Sequence, residues 1–277
     1  MDRKVWFVTG ASRGFGAEIA KAALGAGELV VATARNPESL RHLGEPGSLL
    51  TQSMDVTDEE QVRRATAGAV TRFGRIDFVV NNAGYGLLGA VEECSAAEIE
   101  KIYRTNVFGT LNMIRAVLPI MRKQRSGHII NFSSLGGYAA SVGWGVYCST
   151  KFAVEGISEA LHAELAPLGI HVTVVEPGFF RTDFLDSRSL NTTAATIADY
   201  TDSVGKMREF AAGHNHQQPG DPVKLAAAIL ALSNATHPPV RLPLGSDALR
   251  RIAEKNDYVE KETEQWRELA VSTDFAT

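Results

Sequence analysis

The chain has 277 residues, 44% apolar and 22% charged, with a formal net charge of −4 and no strongly biased segment; a single α/β domain with a substantial core commonly runs to this size. No stretch supplies the roughly 20 consecutive apolar residues of a membrane-spanning helix, and Lys and Arg are scattered rather than gathered into a stripe that would track a phosphate backbone. Two cysteines, Cys94 and Cys148, are too few for a disulfide framework and stand in no metal-type cluster, so neither membrane, nucleic acid nor metal is expected and the partners should be small molecules.

Met1-Asp2-Arg3-Lys4 leads straight into the strand-like Val5-Trp6-Phe7-Val8, without the hydrophobic region of a signal peptide, which points to the cytoplasm. From there apolar runs of strand length alternate with longer segments of helical period, the pattern of βαβ units that close a parallel sheet with helices on both faces. Strands are predicted at Val5–Thr9, Leu29–Thr33, Leu49–Met54, Ile76–Asn81, His128–Phe132, His171–Glu176 and Val240–Leu244. Several are nearly continuous in apolar residues, as strands covered on both faces should be, and together they fit one doubly wound parallel seven-stranded sheet in a single domain. Helix starts are legible as well: Thr57-Asp58-Glu59-Glu60 and Ser95-Ala96-Ala97-Glu98 fit the capping box, and Asp221-Pro222 offers a cap followed by Pro at the first helical position. Residues 177–220 form a loose stretch rich in Phe, Thr, Ser, Asn and His, with a short helical piece near Ala198–Ala212; it is long for a connection and is read as a substrate lid. Residues 246–272 form a charged, helix-prone C-terminal extension.

Directly after the first strand comes Thr9-Gly10-Ala11-Ser12-Arg13-Gly14-Phe15-Gly16, running into the helical Ala17-Glu18-Ile19-Ala20. Glycines allow a tight turn with positive φ and let the backbone approach a pyrophosphate, which then rests on N–H groups at the positive end of the following helix. Gly10, Ser12, Arg13, Gly14, Phe15 and Gly16 are therefore candidate phosphate-binding residues. The spacing, Gly10-x3-Gly14-x-Gly16, resembles the TGxxxGxG motif of the short-chain dehydrogenase/reductase family. The likeness recurs in order: Asp55-Val56, Asn81-Asn82-Ala83-Gly84, Asn106, Ser134, Tyr147-x-x-x-Lys151, then Pro177-Gly178 with Thr182. It covers about Lys4 to Thr182 plus the final strand, and features near Val175–Thr182 and Arg241–Gly245 are similar to the branch with hydroxysteroid- and retinol-dehydrogenase-like members.

The resemblance implies a Rossmann-like fold and an oxidoreductase that moves hydride between a nicotinamide nucleotide and a carbonyl or alcohol. An acidic side chain at the end of the second strand usually holds the ribose hydroxyls of NAD; here the sequence is Thr33-Ala34-Arg35-Asn36-Pro37. With no carboxylate to repel a phosphate, and with Arg35 and Arg13 able to offer a charge-assisted fork, NADP(H) is the expected cofactor. Asn82, Ala83 and Gly84 would flank the adenosine ribose, although the paired Asn81 and Asn82 could also tie neighbouring strands; Asp55 with Val56 would meet the adenine unless Asp55 merely ends its strand. Pro177, Gly178 and Thr182 would position the nicotinamide end.

Tyr147 and Lys151, spaced i, i+4 on a helix beginning near Tyr147, project from one face. A phenol with a pKa near 10 is sluggish at neutral pH, and a neighbouring ammonium lowers that value. By resemblance Tyr147 is the general acid or base, Lys151 also holds the nicotinamide ribose, Ser134 steadies the substrate oxygen, and Asn106 organises a water chain; Ser133 competes with Ser134 for its role. Around them Tyr138, Trp144, Phe179 and Phe184 suggest a pocket for a hydrophobic ketone, aldehyde or secondary alcohol. The expectation is a carbonyl reductase. The alternatives are a steroid- or retinoid-type alcohol dehydrogenase working in oxidation and a nucleotide sensor without turnover. Pairing through helices at Ala96–Lys123 and Cys148–Leu168 would give a homodimer.

Overall fold

A computed structural model describes residues 3–44 and 47–275. Its core is the parallel sheet read from the sequence, in the order β3 (Leu49–Ser53), β2 (Leu29–Ala34), β1 (Val5–Thr9), β4 (Phe78–Asn81), β6 (Gly127–Phe132), β7 (Ile170–Pro177), β9 (Arg241–Leu244). Every neighbouring pair is parallel, with Val5 beside Leu29 and Val80 beside Ile130. Alternation along a strand sends successive side chains to opposite faces, and β1 shows what that demands. Trp6 and Val8 pack with Ile19 of α1 (Gly14–Gly25) and Ile229 of α7 (Pro222–Ser233). Val5 and Phe7 instead pack with Val62 of α2 (Glu59–Phe73), Val117 of α4 (Gly109–Gln124) and Leu165 of α5 (Gly145–Leu165). Both faces are buried, so the strand is apolar throughout.

Departures from the predicted boundaries have local causes. The fourth strand starts at Phe78 rather than Ile76 because Ile76 spends its N–H and carbonyl on the Gln124 side-chain amide, at 3.0 and 2.8 Å. Asp58, not Thr57, caps α2, accepting from Glu60 N and Gln61 N; Thr57 is drawn back to the Asp55 carboxylate. The Ser95–Glu98 capping box forms as expected at α3 (Ala96–Tyr103), and Asp221 caps α7. The long helix predicted from Ala96 is broken by one wide π turn over Arg104–Phe108 before α4 resumes. Two strands were not foreseen: β5 (Gly86–Leu88) and β8 (Leu190–Thr192) form a small parallel sheet that joins the turn after β4 to the 177–220 segment. That segment also holds α6 (Lys206–Gly213), and the extension folds as α8 (Ser246–Gln265) and α9 (Arg267–Val271). Among the described residues no helix is long and apolar enough to cross a membrane.

Strand order runs outward in both directions from β1 and β4. Connections therefore diverge at the carboxyl ends of these two strands, which is where open parallel sheets present a ligand crevice.

Candidate active site

A cavity of about 660 Å³ opens at that position. Its floor is the glycine turn. Gly10 and Gly14 adopt φ of 64° and 55°, the left-handed region where a side chain is strained. A Cβ on Gly10 would lie 3.0 Å from Ala83 Cα, and one on Gly16 only 2.5 Å from the Gly10 carbonyl oxygen. Asn82 fixes this packing by donating from Nδ2 to the carbonyls of Thr9 and Gly10, at 3.0 and 3.1 Å, so it shapes the turn as well as lining the cleft. Asn81 is structural, donating to Asn131 Oδ1. No side chain caps the start of α1 and no acid stands in its first turn. The positive end of the helix thus faces the cleft, and these residues fit a nucleotide diphosphate.

The neighbouring groups are distributed as follows. Arg35 is exposed where β2 ends and lines the cleft, together with Asp55 and Val56. Asp55, two residues beyond β3, also takes the Thr57 N–H and hydroxyl. Arg13 is turned toward the 177–220 segment, donating to the Arg188 carbonyl at 2.6 Å and to Ser189 Oγ. Pro177, Gly178 and Thr182 border the opposite side. Gly178 is hemmed in by the C-terminal extension: Asp247 Oδ2 accepts the Phe179 N–H at 2.7 Å, and a Cβ on Gly178 would fall 2.2 Å from Asp247 Oδ1.

α5 begins at Gly145, two residues before Tyr147, and the structure brings Ser134, Tyr147 and Lys151 to one wall of the cleft. Ser134 follows β6, accepts the Gly136 N–H at 3.1 Å and lines the cleft beside Tyr147. Ser133 also borders the cleft but is buried, its hydroxyl donating to the Lys151 carbonyl at 3.5 Å, so Ser134 is the serine nearer the tyrosine. Lys151 lies with its ammonium 5.8 Å from the Tyr147 ring centre and donates to the Phe132 carbonyl at 2.8 Å. Asn106 sits in the wide helical turn. Its amide closes a two-way bond with the Tyr85 backbone, at 3.1 and 3.0 Å, and donates to Thr150 Oγ1, tying the turn after β4 to α5.

The electrostatics correct one expectation. Burial pushes the Tyr147 phenol up rather than down, against the opposing influence of Ser134. In the protein without nucleotide the phenol is therefore held protonated, which makes it a proton donor. Lys151 moves the other way: burial pulls its ammonium down to about 8, and the nearby Glu155 carboxylate resists.

Above Tyr147 the wall is aromatic, with Trp144 at 5.7 Å and Phe184 at 5.5 Å between ring centres. Phe179 joins farther out, edge-on to Phe210. Tyr138 does not join them: its ring lies over Arg241 and its hydroxyl donates to Asn256 of α8, so it is a brace for the extension rather than a pocket residue. Met207 and Phe210 of α6 and Asn191 of β8 line the cleft without having been foreseen. So does Gln218, whose amide is buried without a partner.

The profile of the short chain dehydrogenase family matches residues 4–193. A 3-ketodihydrosphingosine reductase of Bacteroides thetaiotaomicron is 39% identical over 246 residues, covering 88% of this chain and 89% of that protein. A short-chain dehydrogenase of Streptomyces avermitilis, solved by crystallography, superposes with a TM-score of 0.92 at 40% identity, over 99% of this chain and 100% of that one. A serine dehydrogenase in complex with NADP+ is 29% identical, with a TM-score of 0.74 over 87% and 94% of the two chains. A short-chain dehydrogenase/reductase of Burkholderia phymatum, similar in fold with a TM-score of 0.82 at 23% identity, is solved in complex with NAD. With the glycine turn, the paired asparagines and the Ser–Tyr–Lys wall in their places around one crevice, the chain belongs to the short-chain dehydrogenase family of oxidoreductases.

Proposed function

We propose that the protein is an NADP(H)-dependent carbonyl reductase acting on hydrophobic ketones or aldehydes. The observation that carries this reading is the buried Tyr147 beside Ser134 and Lys151, on the wall of a cleft that continues down to the glycine turn. When bound, the reduced nicotinamide supplies hydride. Ser134 then steadies the carbonyl oxygen, and Tyr147 donates its proton to that oxygen as negative charge grows on it. Lys151, held by the Phe132 carbonyl, orients toward the tyrosine and favours the phenolate left behind. Asn106 keeps α5 in register with the turn after β4 and is suited to organising the water through which the proton is replaced. Water is kept off by Trp144, Phe184 and the 177–220 segment acting as a lid.

Preference for the phosphorylated nucleotide rests on Arg35 and on the missing carboxylate at the end of β2. The aromatic wall supports an apolar substrate, and the Bacteroides relative is named for reduction of a lipid ketone. A cytoplasmic homodimer paired through the segments Ala96–Lys123 and Cys148–Leu168 belongs to the same reading; Phe108 of the wide turn and Phe152 of α5 are exposed there. The test is the initial rate of loss of reduced-nicotinamide absorbance, with NADPH and separately with NADH, against aromatic ketones, aldehydes and steroid ketones. Turnover confined to NADPH is expected. Equal rates with NADH would overturn the nucleotide assignment, and absence of turnover with either would favour the alcohol-oxidising or sensing alternatives.

A further inference from the structure

Behind the catalytic wall lies a charge cluster with no counterpart in the steps above. Glu155 follows Lys151 by one turn of α5 and is 4% exposed; Glu176, at the end of β7, is 1% exposed. Both carboxylates meet the same guanidinium arm of Arg241, from β9: Nη1 pairs with Glu155 Oε2 and, at 3.0 Å, with Glu176 Oε1. The other arm reaches the exposed Glu159, and the Tyr138 ring covers the guanidinium. The remaining oxygen of Glu155, Oε1, is buried without a hydrogen-bond partner.

Burial pushes the Glu155 carboxyl up to about 7 and Arg241 opposes it; once Glu155 is ionised, two buried carboxylates share one arginine and the cluster carries one negative charge beyond that cation. The nearest buried cation is Lys151, 7% exposed, which meets the Phe132 carbonyl and the Tyr147 ring. A buried ammonium with no counter-charge gives up its proton. With Glu155 ionised, the interior is neutral when Lys151 is an ammonium, and that balance runs through Glu155.

We propose that Glu155 is a positioning residue for proton transfer: with Glu176 and Arg241 it forms the buried counter-charge that keeps Lys151 an ammonium beside Tyr147. The proposal deepens the reading of Lys151 as part of the proton-transfer site and rests on it. It also assigns a role to β9, which contributes nothing else to the cleft's chemistry: Arg241 pairs with both carboxylates and opposes the burial that pushes Glu155 up to about 7, so the last strand of the sheet bears on the charge state of a side chain on α5.

The experiment follows the Lys151 side chain by isotope-labelled lysine NMR in the full-length protein, titrated with pH. In Glu155→Gln, which keeps the volume and removes the charge, the Lys151 titration should move down by roughly one pH unit, the size expected for a charge one helical turn away at an effective dielectric of about 20. Glu155→Asp should restore most of that shift. If Glu155→Gln does not fold, Lys151→Met carries the test from the other side, because coupling is reciprocal: the Glu155 carboxyl should then titrate roughly one unit higher than in the parent. With a carbonyl substrate in hand, Glu155→Gln should lose turnover progressively at alkaline pH, about fivefold near pH 8, with kcat falling and KM for the carbonyl unchanged. A Lys151 titration unmoved in Glu155→Gln, or a Glu155 titration unmoved in Lys151→Met, overturns the proposal whatever the enzyme turns over. Failure of the parent protein to reduce any carbonyl would instead sink the proposed function and leave the titration result standing.

Discussion

Glu93 offers the sharpest test of how the 177–220 segment is held. It follows β5, its carboxylate is fully buried, and it serves three donors. Oε1 accepts the Ile197 N–H at 2.8 Å; Oε2 accepts the Ala90 N–H at 2.8 Å and Arg208 Nη2 at 2.6 Å. Ile197 and Arg208 belong to the segment, whereas Ala90 belongs to the body. Glu93→Gln preserves size but has only one oxygen. If that oxygen stays on Ala90 and Arg208, an NH2 group faces the Ile197 N–H; if it turns, both Oε2 bonds fail. An unmet buried donor costs about 1–3 kcal/mol, and weakening the buried ion pair brings the total to roughly 3 kcal/mol, at the lower edge of what breaking such pairs costs. Because the lost contacts lie between segment and body, the effect should be local opening: roughly 100-fold faster amide exchange over residues 193–208, with the sheet strands unchanged. Hydrogen-exchange mass spectrometry reads this directly. Exchange over those residues within about threefold of the parent would refute the idea that Glu93 anchors the segment.

Other outcomes follow from geometry already described. Tyr147→Phe should lose ~10²–10⁴-fold in turnover while retaining nucleotide affinity by fluorescence titration; near-normal turnover would remove Tyr147 from proton transfer. Arg35→Ser should raise KM for NADPH while leaving KM for NADH little changed, measured in parallel assays. Turnover should decline as the pH rises past about 8, where the buried Lys151 ammonium is lost; a flat profile to pH 9.5 would contradict this. His128, buried against Thr173 and His171, is pushed down to about 3 from its ordinary 6.5 by burial. The folded form keeps this imidazole neutral while the unfolded chain protonates, so the stabilisation present above pH 6.5 is lost as the pH falls, at roughly 1.4 kcal/mol per unit. Thermal melts of His128→Gln should be less acid-sensitive between pH 6.5 and 4.5 than those of the parent.

What was legible in the chain was whatever a short window contains. Val5–Thr9 announces a doubly covered strand because both of its faces are buried, and the glycine turn and the Tyr147–Lys151 pair are local spacings. What was hidden depends on partners far along the chain. Glu93 reads as one of two adjacent acids, Glu92 and Glu93, and its meaning comes from Arg208, 115 residues later. Three-residue strands such as β5 and β8 carry too little pattern to register, and exist because the segment folds back onto the turn after β4. Tyr138 looked like a pocket residue for its nearness to Ser134, yet α8 claims its hydroxyl. The direction of the Tyr147 shift was misjudged for a related reason: the neighbouring lysine is visible in the sequence, whereas the depth of burial that outweighs it is not.

The contact between Asp247 and the Gly178–Phe179 turn bears on how this protein can be handled. The first turn of α8 braces the Gly178–Phe179 edge of the cleft, while most of the helix beyond it projects from the body with its residues exposed. Shortening the chain from its carboxyl end should therefore be tolerated across much of that projecting helix and then abruptly cease to be. The boundary falls near Asn256, which braces Tyr138, and Asp247, which braces the turn. A fusion partner or surface tether is best joined beyond α9, where movement of the attachment has the whole length of α8 in which to die away before it reaches the cleft.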